Sequence, residues 1–126
     1  MMMKIQTPAD VLRREEAKAK REALELHLAR DLTAHRIKFL TQYEFWPGRK
    51  WRFDFAIMRM GPYMLAIEVQ GGIFSGGRHT RGAALEDEYE KLAHAAIRGW
   101  TVMPVSGGQI KSGKAIDWIR KALRMT

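Results

Sequence analysis

The stretch KWRFDFAIMRMGPYMLAIEVQGG, residues 50–72, constrains this chain more than any other. Two strand-like runs flank a Gly61-Pro62 turn signal, and each apolar run carries one carboxylate near its middle. Side chains alternate along a strand. Trp51, Phe53, Phe55 and Ile57 therefore share one face, with Arg52, Asp54 and Ala56 on the other. In the second run Leu65, Ile67 and Val69 oppose Ala66, Glu68 and Gln70. A turn this short makes the runs antiparallel neighbours, which brings Asp54 close to Glu68 on one face. Two carboxylates on a half-buried sheet repel one another unless one is protonated, a cation bridges them or basic side chains intervene. Mg²⁺ is a natural bridge, being hard, oxygen-seeking and content with one or two carboxylates plus substrate phosphate. A structural ion pair, Asp54 with Arg52 or Glu68 with a helix lysine, fits the same spacing.

The remaining elements follow from caps and periodicity. Thr7-Pro8, with Asp10 three residues after the cap, predicts a helix that runs to about residue 34. Its first half is charged nearly all round, as in a solvated helix laced with pairs such as Glu16–Lys20. Further on, Ala23, Leu24, Leu26, Leu28, Ala29 and Leu32 form a broad apolar arc. Glu22 and Glu25 both fall inside it, and Glu22 is the preferred third acid. A strand within RIKFLTQYEFW ends at Pro47-Gly48. A helix from about 82 to 98 carries Leu85, Tyr89, Leu92 and Ala96 at helical spacing. WTVMPV is a short strand, and a last helix begins at Ser112, its cap, with Ile116, Ile119 and Leu123 on one side. The order α-β-β-β-α-β-α predicts an α/β fold, a single domain over residues 1–126 with a central mixed sheet flanked by helices.

With 22 basic against 14 acidic residues, the net charge of +8 favours a polyanionic partner. A membrane surface would call for a basic amphipathic helix with exposed aromatic residues, whereas the four tryptophans fall where core is expected. No apolar run is long enough to span a bilayer, the start MMMKIQTPAD lacks a signal-peptide core, and no cysteine is present. Cytoplasmic placement is expected. Nucleic acid is the favoured partner: Arg49, Lys50 and Arg52 in PGRKWR suit phosphates or protect a sheet edge, and Arg78, His79 and Arg81 in FSGGRHTRG suit phosphates or form a solvated loop. His27, His35 and His94 lack metal-ligand spacing and read as surface residues. GQIKSGKA, residues 108–115, imitates a phosphate-binding loop, but Ala115 stands where a hydroxyl must meet Mg²⁺.

A helix glutamate, then RFDFA, then EVQ, then a helix and a final strand together resemble the PD-(D/E)XK nuclease superfamily. More narrowly, RKWRFDFA…LAIEVQGGIFSGGRHTRG…EYEKLAHAAIRGWTVMPV is similar to small phage-encoded nucleases related to archaeal-type Holliday-junction resolvases. The resemblance spans about residues 20–105. It implies a restriction-endonuclease-like fold and Mg²⁺-dependent endonuclease activity on DNA, with Mn²⁺ able to substitute. It also implies a four-way junction as substrate, a homodimer, and a bacterial host cytoplasm. Asp54, Glu68 and the carbonyl of Val69 would face the metal, with Glu22 assisting. The family's usual lysine is replaced here by Gln70, so either Gln70 orients the water or Lys91 reaches in from the following helix. A nicking, repair or restriction-type nuclease of the same fold is one alternative. A basic DNA-binding module without catalysis is the other.

Overall fold

The first helix begins as its sequence dictates. The Thr7 hydroxyl accepts from Asp10 N–H at 3.1 Å, and the Asp10 carboxylate accepts from Thr7 N–H at 3.1 Å, a complete capping box. The computed structural model describes residues 6–59, 63–70 and 82–125. It runs α1 (Pro8–Ala34), β1 (Leu40–Glu44), β2 (Arg52–Met58), β3 (Met64–Gln70), α2 (Ala83–Ile97), β4 (Trp100–Ser106), α3 (Gly107–Ser112) and α4 (Lys114–Ala122). The strands form one mixed sheet in the order β1-β2-β3-β4. β1, β2 and β3 are successively antiparallel, and β4 lies parallel to β3 after the α2 crossover. The Gly61-Pro62 turn signal lies outside the described residues. No helix among those described is long and apolar enough to cross a membrane.

The C-terminal end differs from expectation. Residues 107–123 hold two helices rather than one, so the order is α-β-β-β-α-β-α-α. Ser106, not Ser112, is the capping serine: it exchanges side-chain and backbone hydrogen bonds with Gln109, three residues on. Gly113, with φ 87°, then turns the chain sharply into α4. Ser112 accepts from Lys114 N–H at 3.3 Å and donates to the Gln109 carbonyl at 3.3 Å, but caps neither helix start. The imitation phosphate loop is thus a helix, a turn and a second helix.

Two cores cover the two faces of the sheet. On one, Leu24, Leu28 and Leu32 of α1 pack with Phe55, Ile57, Leu65, Ile67, Val69 and Val105 and with the inner sides of α3 and α4. On the other, Phe45, Trp51, Phe53, Ala56, Ala66 and Trp100 pack against Ala95 of α2. The expected common face of Trp51, Phe53, Phe55 and Ile57 is therefore split. Phe53 stacks on Phe45 and packs against Trp100, while Phe55 meets Phe39 on the opposite side. The alternation slips by one residue at Asp54.

Helix α2 also turns an unexpected face inward. Of its expected apolar stripe, Tyr89 and Leu92 point to solvent, 60% and 39% exposed, and Leu85 is half-buried; Ala95 is its one buried residue. A small residue at the contact lets the helix approach closely, while polar side chains on the same side reach the sheet.

The α1 stripe carries the larger core, so its two kinds of leucine separate cleanly. Leu28→Ala, at a site with no exposure, should cost about 2–5 kcal/mol. Leu26→Ala, at a site 51% exposed, should change stability by no more than about 0.5 kcal/mol. Urea denaturation of both variants measures this; equal losses would contradict the burial of α1.

Candidate active site

Glu68 is buried, the one polar or charged side chain among the described residues that is. Its position follows from the hairpin register, in which Met58 faces Met64 and Phe55 faces Ile67. One step beyond, backbone pairing gives way to pairing through side chains. Asp54 N–H donates to Glu68 Oε2 at 3.3 Å, and Val69 N–H donates to Asp54 Oδ2 at 2.7 Å. Each carboxylate therefore satisfies a backbone donor of the opposite strand, and the two acids are held side by side where β2 and β3 part. On the far side of β2, Gln42 of β1 takes a left-handed backbone with φ 48°, a conformation uncommon for any residue but glycine. The β1–β2 pairing passes from Thr41–Phe55 to Tyr43–Phe53 across it.

Two helices close on this fork from opposite faces. From α2, the Lys91 ammonium donates to Glu68 Oε1, with both side chains almost wholly enclosed. From α1, Glu25 is reached through Gln42. The Gln42 amide donates to Glu25 Oε1 at 3.0 Å and lies 3.5 Å from Asp54 Oδ1, the limit of a hydrogen bond. Burial pushes the Glu68 carboxyl up from its ordinary range, against the opposing pull of Lys91. Burial also raises Glu25, and the charge of Asp54 raises it further. Three carboxyls against one ammonium leave a formal excess of two negative charges. All are oxygen donors, so the charge and chemistry of this set fit a hard divalent cation. Asp54 and Glu68 are the residues placed to hold one. Among the described residues no three acidic or imidazole groups already stand as a closed metal cluster.

The expected residues are distributed as follows. Asp54, Glu68 and Lys91 converge. Val69 turns its side chain into the core and its N–H to Asp54. Gln70 ends β3 half-buried, opposite Ser106 of β4. Glu22 is exposed, and Glu25 is the α1 acid beside Asp54, which corrects the preference for Glu22. The buried stripe is narrower than the apolar arc, because Ala23 and Leu26 are exposed. At 100° per residue, Glu25 lies about 60° and Glu22 about 120° from the centre of the Leu24–Leu28–Leu32 stripe.

The basic patch at the β1–β2 turn is partly engaged. Arg49 bonds Asp87 at 2.8 Å and Glu90 at 3.4 Å while lying over Trp51. Arg52 pairs with Glu44 at 3.2 Å, and Lys50 is exposed. Arg78, His79 and Arg81 lie outside the described residues. His94 is not a surface residue: it packs between Trp46 and Trp51, at ring distances of 4.3 and 5.3 Å. Gln42 and Asp87, which also accepts from Trp51 Nε1 at 3.3 Å, were not visible as site residues from sequence. The register alone could have drawn notice to Gln42, since it extrapolates to a position opposite Asp54.

Comparison with protein-family models, curated proteins and solved structures finds no match to this chain.

The raised carboxyl of Glu25 yields a pH test with a definite sign. A raised folded-state value means the charged form is disfavoured by folding. The stability from this group is full below the ordinary 4.5 and lost as pH rises through the folded value. Glu25→Gln, which keeps an acceptor for Gln42, should melt higher than wild type near neutral pH. The gap should close as pH falls towards 4.5. Thermal melts across that range measure it; a gap independent of pH would refute the assignment.

Proposed function

We propose that the chain is a Mg²⁺-dependent DNA endonuclease of the PD-(D/E)XK type, with a restriction-endonuclease-like arrangement of its sheet. The observation that carries this reading is the buried Glu68, held beside Asp54 at a fork in the sheet with Lys91 and Glu25 closing on it from two helices. Structural ion pairs seldom place further acids beside a buried carboxylate, because each added negative charge raises the cost of ionising it. A site that concentrates negative charge in a protein of net charge +8 suits a cation and a polyanion that arrive together.

Bound between Asp54 and Glu68, Mg²⁺ would supply Lewis-acid polarisation of the scissile phosphodiester and a lowered pKa for the attacking water. The chain's own groups have separate tasks. Val69 N–H and Asp54 N–H fix the two carboxylates, so that little reorganisation is needed when charge develops. Glu25, whose affinity for a proton is raised, is suited to accept the proton that water loses, and Gln42 aims it. Water adds in line to phosphorus, and the 3′ oxygen leaves. Lys91 offsets negative charge beside Glu68, the part the family's usual lysine would play, and the carboxamide of Gln70 is left to orient water. Two glycines after Gln70 would allow close approach of a DNA backbone.

A four-way junction is the proposed substrate and a homodimer the proposed assembly, both on the resemblance. Labelled four-way junction and linear duplex of the same sequence, incubated in Mg²⁺, Mn²⁺ or EDTA, provide the test. Wild type should cut the junction in paired symmetric positions with either metal. Asp54→Asn or EDTA should lower cleavage by at least about a hundredfold. Equal cutting of duplex would keep the nuclease and remove the junction preference. Intact binding without cutting would make the Glu68–Lys91 pair structural.

A further inference from the structure

Helix ends in this chain follow a habit that two of them break. Glycine is the usual residue for the left-handed turn after a helix, because it has no Cβ to clash. The chain turns on Gly99, φ 88°, after α2 and on Gly113, φ 87°, after α3. After α1 and α4 the same turn is made by Arg36, φ 59°, and Arg124, φ 58°. Both turns are fully formed. Arg36 N–H donates to Thr33 O at 3.0 Å and Ile37 N–H to Leu32 O at 2.9 Å. Arg124 N–H donates to Lys121 O at 2.9 Å and Met125 N–H to Arg120 O at 2.8 Å. An unfavourable conformation held twice by the same unusual residue asks for a reason outside the backbone.

Both arginines open onto one cleft of about 860 Å³, a size typical of ligand sites. Lys38 and Arg59 line it as well, and no aspartate or glutamate is among its described lining residues. Among those residues none of the four cations is in an ion pair. Arg59 instead donates to the Leu123 carbonyl at 2.9 Å, which fixes its direction. Tyr63 and Met125 supply apolar wall. The cleft lies at the hairpin end of β2 and β3. Five residues of extended chain, roughly 16 Å, separate Arg59 from Asp54.

Complementing helix dipoles does not account for so much charge. The ends of α1 and α4 present roughly half a negative charge each, whereas four cations face them, leaving about three positive charges uncompensated. Guanidinium groups and a tyrosine beside an apolar wall suit a phosphate borne on a planar, weakly polar body.

We infer that this cleft binds the phosphate of a nucleotide, either free or as the 5′ end of a strand, with its base against Tyr63 and the arginine planes. The inference does not rest on catalysis at the acidic fork. Calorimetric titration of the full chain in EDTA tests it with deoxyadenosine 5′-monophosphate, deoxyadenosine, and a single strand with and without its 5′ phosphate. At least one phosphorylated ligand should bind, and its unphosphorylated twin should bind at least about tenfold more weakly. Binding of the mononucleotide would identify a free nucleotide; binding of the phosphorylated strand alone would identify a strand end. Arg36→Gly/Arg124→Gly places glycine where glycine is favoured. It should weaken binding at least about tenfold without lowering the melting temperature. Lys38→Ala should also weaken binding. Absence of binding, binding indifferent to the phosphate, or full affinity in the double glycine variant would overturn the inference.

Discussion

The Glu68–Lys91 pair is the interaction on which the arrangement of this fold depends. A carboxylate inside a sheet is tolerable only with a partner, and removing one member of a buried pair costs about 3–5 kcal/mol. Lys91 must therefore face the sheet, and α2 must turn to let it. That rotation carries Tyr89 and Leu92 outward and leaves Ala95 as the buried contact. Other polar contacts act in the same sense: Asp87 meets Arg49 and Trp51, and His94 lies between two tryptophans. Helix α2 is docked by its polar side. Apolar burial, which orients most helices, orients α1 and α4 here.

The fork at Asp54 is the second consequence. If β2 and β3 continued their backbone ladder past Phe55, the acids would stand side by side without the backbone donors they now have. Their oxygens instead take over the hydrogen bonds of Asp54 N–H and Val69 N–H, so each carboxylate gains a backbone donor from the opposite strand. The slip in alternation follows, sending Phe53 to the aromatic cluster and Phe55 to the α1 core. The left-handed Gln42 lies beside the same irregularity, and its amide is what links α1 to the fork. Three deviations from regular sheet thus have one cause, the need to hold carboxylates together at the edge of a core.

What could be read from the sequence divides along the same line. Wherever period, cap and burial agreed, as in α1 and the succession of strands, the elements fell near their expected places, and the hairpin spacing alone put Asp54 beside Glu68. Legibility failed where one polar contact outweighed pattern. The stripe Leu85, Tyr89, Leu92 and Ala96 has helical spacing, and nothing in it reveals that Lys91 turns it outward. Glu25 and Glu22 share one apolar arc in sequence, and only the narrower stripe that packs tells them apart. Ser106-x-x-Gln109 was a capping box in plain view. The glycines around it invited a single later helix start at Ser112. Arg49 and Arg52 count as free positive charge in composition, yet each faces an acid in the fold.

Charge is therefore distributed unevenly along the sheet, with Arg49, Arg52 and Lys91 paired to acids and one group of cations left apart. At one end of β2 and β3, acids gather and repel, and the energy of that repulsion is available to any cation that enters. At the other end, cations gather at two helix termini, with no acid among the described residues that line the cleft between them. With 14 acids against 22 cations, many acids are paired, yet the three carboxyls at the fork share one ammonium and the four cations of the cleft have no acid in its described lining. Sorting them costs stability at both ends, which the packed cores on either face of the sheet must offset. In the proposed reading a metal ion would answer the one end and a phosphate the other.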